Sequence, residues 1–347
     1  MQTGFSTFKA KIYPIVVGAG LLVLAGCAEK KPTMVIYTTH GKELVQTFVD
    51  LFEKDHPQVQ VRWLDMGSQD ALDRIRSEKG NPQADLWWGA PAPIFMRAKK
   101  EGLLQPYRPT WAEQVDSMYR DPDDMWYGTF LTPEVIAFNR EKLSREQAPQ
   151  DWDDLLKPKW KGRIVIRSPL ASGTMRAIFV AMILRQMQKT GRVEDGFEWL
   201  RKLDANTRSY AADPTMLYLK LARGEGDVTL WNMPDIMLQR NMYNYPFDYV
   251  IPRSGTVVVT DCIALVKGSK QPELAKAFYE FVTSKEALIR QAHEFYRIPA
   301  RRDIPREKLP EWMRAPIKVL PLDWELFAEK ETEWMEYWNQ HIRSRGR

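Results

Sequence analysis

From residue 33 onward, short apolar runs alternate with stretches whose apolar residues recur every three or four positions. Met34-Val35-Ile36-Tyr37-Thr38-Thr39 predicts a strand. Residues 42–54 put Leu44, Val45, Phe48, Leu51 and Phe52 on one helical face. A strand over 59–66, a helix over 68–80, a strand over 84–90 and a helix over 93–102 follow. This βαβαβα order predicts a parallel sheet with helices on both faces. The rhythm breaks near residue 130, where "MWYGTFL" and "EVIAFNREKL" follow one another without a helix. It breaks again near 257, between "FDYVIP" and "GTVVVTDCIALV". Between the breaks come the strand Ile164–Ile166, a long helix after Ser172, helices near 193–204 and 214–223, and a strand at 227–231. One long helix from Pro272 to about Glu294 and an aromatic-rich tail complete the chain.

The two breaks divide the chain into three pieces. Residues 34–130 and 258–347 are expected to form lobe 1, with 131–257 inserted as lobe 2. Two strand crossovers between α/β lobes make a hinge with a ligand cleft between them. Ligands in such sheets sit beyond the carboxyl ends of the strands.

The N-terminal segment changes the charge reading. Lys9 and Lys11 flank the apolar run "IYPIVVGAGLLVLAG", too short for a confident membrane span and typical of a secretory leader. It ends in Leu24-Ala25-Gly26-Cys27, which resembles a bacterial lipobox. That resemblance implies cleavage after residue 26, lipidation of Cys27 and a short tether over 27–33. The domain would then be exported and held at a membrane on the periplasmic or cell-surface side. Residues 1–26 carry two lysines and no acids, so the formal +5 falls to +3 on cleavage. With no basic cluster elsewhere, nucleic acid is not an expected partner. Of two cysteines, Cys262 would remain alone, so no intramolecular disulfide is expected and Cys262 reads as a buried core residue.

The residues just past the strands are the candidate site. Thr38, Thr39 and His40 follow the first strand, and Trp88 ends the third. Ser172, Gly173 and Thr174 follow Ile164–Ile166, and Trp231 and Asn232 follow 227–230, with Asp213 in "AADPTM". Hydroxyls, an imidazole, an amide and two indoles form a set suited to polar oxygens and flat organic surfaces. Ser172 caps a helix on the plain reading, and a helix N-terminus also favours an anion. Asp213 reads first as a helix N-cap. Trp87 and Trp88 point to opposite faces, one into the core and one available to the cleft. A nucleophilic Ser172 would need a base, and the chain has only His40, His56, His293 and His341. It also has no G-x-S-x-G elbow, so no enzyme and no cofactor are expected.

The segments "VIYTTHGKELVQTFVDLFEKDHPQVQV", "NPQADLWWGAP", "PQDWDDLLKPKWKGRIVI", "SPLASGTM", "LARGEGDVTLWN" and "VKGSKQPELAKAFYEFVTS" resemble bacterial extracellular solute-binding proteins of ABC importers. The similarity lies with the ferric-iron-binding-like branch, which includes phosphonate and sugar-phosphate binders. It implies a type II periplasmic-binding-protein fold that, as a monomer, closes on one small-molecule solute and delivers it to an ABC permease. A ligand sensor for a receptor is an alternative role. Ferric binders of the branch use a histidine after the first strand, an acid on the next loop and a tandem tyrosine pair. His40 matches the first, whereas Gln69 stands near the second and Met233-Pro234 stand where the tyrosines are expected. Tyr243 and Tyr245 come late and apart. Hard ferric ion needs anionic oxygens, so iron through His40 is the alternative to a phosphorylated or phosphonate solute. Phosphate binders use the S-G-T turn, matched here by Ser172, Gly173 and Thr174.

Overall fold

A computed structural model describes residues 1–4 and 31–344. The apolar leader run and Cys27 lie outside the described residues. The unit that begins at Pro32 carries the fold. Its first lobe opens with β1 (Thr33–Thr38), α1 (Lys42–Asp55), β2 (Gln60–Asp65), α2 (Ser68–Ser77), β3 (Leu86–Pro91), α3 (Ala92–Lys100) and β4 (Leu104–Gln105). The strand β5 (Tyr127–Asn139) then leads into the second lobe. That lobe holds β6 (Ile164–Arg167), α4 (Gly173–Thr190), α5 (Val193–Asn206), β7 (Thr207–Ala211), α6 (Pro214–Ala222), β8 (Val228–Asn232), α7 (Met233–Tyr243) and β9 (Phe247–Val250). The chain returns through β10 (Val258–Val266), α8 (Pro272–Val282), α9 (Lys285–Phe295) and β11 (Ile298–Pro299), and ends in α10 (Trp324–His341).

The strands run in the order β2-β1-β3-β10-β5-β8-β6-β7, with β4 on β10 and both β9 and β11 on β5. The expected parallel pairs are β1 with β2 and β3, and β6 with β7 and β8. The two segments read as separate strands near residue 130 are one strand. Tyr127–Pro133 pairs with β10, and Glu134–Phe138 continues onto β8 in the other lobe. Almost every residue of β5 is buried, so both faces and both edges are covered along its length.

Two further expectations change. The helix read as continuous from Pro272 to Glu294 breaks at Thr283-Ser284, because the Ser284 hydroxyl accepts from the Ala287 N–H and starts a new helix. The tail does not all join lobe 1. Phe327, Trp334, Met335 and Trp338 of α10 pack with the core of lobe 2, alongside Phe179, Ile183 and Val180 of α4. Apolar burial, about 25 cal/mol per Å², decides where an amphipathic helix docks, and the apolar face of α4 lies in lobe 2. Cys262 is fully buried in lobe 1.

Having docked there, α10 reaches back across to lobe 1. Glu331, 1 % exposed, lies 3.4 Å from Arg97 of α3 and 3.9 Å from Arg176 of α4. Arg97 also donates to the Thr332 hydroxyl. Truncating Glu331 would leave two guanidiniums facing each other in a buried setting, a change that typically costs about 3 kcal/mol or more. Glu331→Ala is therefore expected to lower the melting temperature by about 5 °C or more, measured by calorimetry. An unchanged Tm would show that this tie contributes nothing.

Candidate functional site

The ends of β1, β3, β6 and β8 converge between the lobes, where the helix starts that follow them meet. A Cβ at Gly173, the first residue of α4, would lie 2.7 Å from Ser68 Oγ of α2 and 2.8 Å from Pro91 at the start of α3. One at Gly67 would lie 2.8 Å from the Ala171 carbonyl. Glycine lets these backbones from opposite lobes touch. The N-termini of α2, α3 and α4 therefore face a common region, each bringing backbone N–H groups with a positive dipole end.

On the lobe 1 side, the Thr38 hydroxyl accepts from the His40 N–H and fixes the turn after β1. His40 is buried edge-on against Trp88 and Phe130, with ring centroids 5.1 and 5.3 Å away. Its Nε2 has no hydrogen-bond partner. Gly89, at φ +105°, makes this seat possible, since a Cβ there would lie 2.7 Å from Thr39 Oγ1 and 2.9 Å from His40 Nε2. Burial first, and the Arg297 guanidinium second, hold the imidazole well below its ordinary pKa. It is therefore neutral, with one ring nitrogen free to donate or accept according to tautomer.

On the lobe 2 side, Ser172 Oγ accepts from the Met175 N–H as the N-cap of α4. Among the described residues nothing else engages that hydroxyl, and no imidazole is bonded to it. Thr174 points its hydroxyl toward Glu134 of β5. Arg176 turns inward rather than to solvent, donating to the carbonyls of Pro169 and Leu170 behind the turn.

Four expected residues make structural contacts. Trp88 is fully buried between His40, Phe48 and Phe278 and walls no opening; Trp87 is equally buried on the opposite face, stacked on Phe95. Asp213 caps α6 by accepting from the Met216 N–H at 2.8 Å. Asn232 caps α7 from Asp235 N and donates its amide to the Asp235 carboxylate. Trp231 sits in the core of lobe 2, its indole N–H directed to the Tyr218 hydroxyl and to Asp235.

Several charged groups were not anticipated. Arg167, at the end of β6, is 8 % exposed and makes no ion pair among the described residues. Its Nε lies 3.4 Å from the Ala212 carbonyl, and its terminal nitrogen comes up against Gly67 of lobe 1, near Asp70. Glu134 is fully buried with both carboxylate oxygens unpartnered. Burial, followed by the charges of Asp261 and Asp235, raises its pKa well above the usual carboxylate range. Asp261 accepts from the Thr132 hydroxyl at 2.6 Å and is likewise raised by burial. Arg297, at the mouth of β11, pairs with Asp235 across the lobes at 2.9 Å. A sequence signal existed: each stands as a charge in or beside an otherwise apolar strand run, "RIVIRS", "TPEVIAF" and "VVTDCIAL".

For ferric ion the arrangement is thin. No three of His, Cys, Asp and Glu gather as a metal cluster among the described residues. Met233 and Pro234 open α7. Tyr243 donates to the Glu43 carboxylate at the outer edge, where α1 and α7 face a depression of about 740 Å³ beside Trp63 and Tyr296.

A family model for bacterial extracellular solute-binding proteins matches residues 81–330. The chain belongs to that family. As such it is a solute-binding component of an ABC importer, and the members of its family are binding proteins rather than enzymes. It is 27 % identical over 332 residues to a probable ABC transporter periplasmic-binding protein, y4fP, of Sinorhizobium fredii, covering 94 % of this chain and 90 % of that one. It is 28 % identical over 254 residues to a putative 2-aminoethylphosphonate-binding periplasmic protein of Salmonella typhimurium, 71 % of each chain. The structure of the periplasmic binding protein AfuA from Actinobacillus pleuropneumoniae, with exogenous fructose-6-phosphate bound, superimposes with a TM-score of 0.79 at 25 % identity, covering 91 % of this chain and all of that one. The fold shared with these proteins is the type II periplasmic-binding architecture.

The buried acid gives the unliganded protein a pH signature. A carboxyl whose native pKa is raised binds more protons folded than unfolded, so its contribution is lost as pH climbs above about 4.5. Glu134→Gln keeps the shape and removes that titration. The variant should lose less thermal stability than the parent between pH 5 and pH 8, followed by melting at each pH. Parallel curves would mean that Glu134 does not titrate there.

Proposed function

We propose that this solute-binding protein captures a small polar anion, phosphorylated or phosphonate, by closure of its two lobes, and hands it to a membrane permease. The observation that carries the reading is Arg167, a guanidinium buried between the lobes without an ion pair. Burial still outweighs the more distant Asp70, Asp213 and Asp65 carboxylates and holds the guanidinium below its ordinary pKa, and an anion at this point offsets that cost. Arg167 can bind phosphate or phosphonate oxygens in its fork, and the free N–H groups opening α2 and α4 add donors from either lobe. Thr39, Ser172 and Thr174 supply hydroxyls around the same space. An anion bridging the lobes favours the closed arrangement by its differential affinity. The relatives named for 2-aminoethylphosphonate and solved with fructose-6-phosphate support a ligand of this class.

A thermal-shift panel of phosphate and phosphonate monoesters tests the reading. A ligand at one hundred times its dissociation constant stabilises by about 2.7 kcal/mol, a readily measured rise in melting temperature. At least one such compound is expected to raise the melting temperature, and Arg167→Ala should abolish the rise. If only neutral sugars or polyamines stabilise the protein, the anion is the wrong ligand. His40, with its free Nε2, favours ferric ion as the second reading. Titration with ferric citrate is expected to give no visible charge-transfer band, and a salmon-to-red band would install iron as the cargo.

The lipobox-like Leu24-Ala25-Gly26-Cys27 supports a lipid tether at Cys27. Since an acyl anchor drives membrane association by about 0.8 kcal/mol per buried methylene, losing it should free the domain. Cys27→Ser is expected to move the protein from the membrane fraction to the soluble one. Unchanged fractionation would remove the tether.

A further inference from the structure

The depression of about 740 Å³ at the outer edge lies apart from Arg167 and falls within the size range of small-molecule sites. One wall is α1 with Trp63 of β2, a second is the end of α9, and the third is the end of α7 from lobe 2. Three aromatic rings stand in it, each held by a hydrogen bond. The Trp63 indole N–H donates to Gln46 at 3.3 Å, and the Tyr243 hydroxyl donates to the Glu43 carboxylate. The Tyr296 hydroxyl accepts from the Asn241 amide at 2.7 Å. Tyr243 and its neighbour Met242 remain 44 % and 48 % exposed.

The charges are set around these rings. Glu294 is committed to Arg290, and His293 to the Lys308 carbonyl. Glu43 and Asp50 make no ion pair among the described residues, and Asp50 accepts from the Gln46 amide at 2.6 Å. Lys42 also lines the hollow without an ion pair among the described residues, so two unneutralised carboxylates stand against one ammonium. Glu43 and Asp50 share one face of α1, about 10 Å apart along its axis. Gln46 lies between them and holds the Trp63 indole there. The order along the hollow is therefore acid, aromatic ring, acid.

We propose that this depression is a second ligand site, for a linear organic dication whose ammonium groups meet Glu43 and Asp50 and whose methylene chain crosses the Trp63 indole. The inference does not rest on the anion reading, since Arg167 takes no part in it. A neutral chain would cover the indole and leave both carboxylates unbalanced, and an anion would meet them as like charges. An ammonium brings three donors and a positive charge to each acid, and the faces of Trp63 and Tyr243 attract cations in their own right.

Isothermal titration with three chains of equal length tests this: 1,8-diaminooctane, 1,8-octanediol and octanedioate. The diamine is expected to bind about tenfold or more tightly than the diol, and octanedioate to give no binding. Asp50→Asn and Glu43→Gln, each checked for a cooperative melt, should together bring the diamine within about threefold of the diol. Lys42→Ala removes the opposing charge and should tighten the diamine. Arg167→Ala should leave it unchanged, which separates this site from the cleft. Absence of diamine binding, or equal binding of the diol, overturns the proposal. So does a diamine affinity that survives both acid substitutions or falls with Arg167→Ala. Octanedioate binding that is lost in Lys42→Ala would make the hollow an anion site instead, and maltose binding that is lost in Trp63→Ala, with none of the diamine, a carbohydrate site.

Discussion

The constraint on which the molecule depends is a single strand that belongs to two lobes. β5 is bonded along its first half to β10 and along its second to β8, and almost none of it reaches water. A strand committed at both ends cannot slip, because a one-residue shift would move Phe130 and Glu134 to the opposite face. The chain crosses between the lobes at Thr132-Pro133 on β5 and in the segment between β9 and β10. The same strand lays the floor of the cleft. Fixing the hinge and fixing the carboxyls are one structural act.

That economy carries a thermodynamic cost. Glu134 and His40 are buried with polar atoms left unpartnered, and Arg167 is buried without an ion pair among the described residues, each at a cost relative to water. Natural proteins concentrate such local conflicts where function requires them. Here they sit in a narrow band between two well-packed cores, one centred on Phe48, Phe52 and Phe278 and the other on α4 and α10. The cores supply the stability against which the strained polar band is held.

Most of the architecture was legible because periodicity reports burial. The helices and strands before β4 stand where their patterns put them, and the two breaks in rhythm fall at β5 and between β9 and β10. The misreadings share a cause. Two segments were read in place of β5 because Pro133, normally excluded from a strand interior, divides an otherwise continuous apolar run. The long helix after Pro272 was read as one because Ser284 can sit in a helix or cap one. The docking of α10 on lobe 2 depends on tertiary complementarity that no local pattern holds. At the site, turn residues were found and their partners missed. Ser172 and His40 follow strands, whereas Glu134, Asp261 and Arg167 are charges within apolar stretches, visible only once such a charge is treated as a conflict needing an explanation.

The two ends of the interlobe contact also differ in kind, and the difference bears on how closure is set. At the back, Glu331 of α10 lies between Arg97 and Arg176, a contact made wholly by the chain itself. At the front, Arg167 approaches Gly67 of the opposite lobe and forms no ion pair there among the described residues, with Asp70 near it but not in contact. A tie that is always present lowers the energy of the closed arrangement by a fixed amount and so sets the starting population. On the anion reading proposed above, the rest of the preference depends on ligand. Affinity and opening are then tuned from opposite sides of the same hinge, one by the charges on β5 and β6, the other by the charges on α3, α4 and α10.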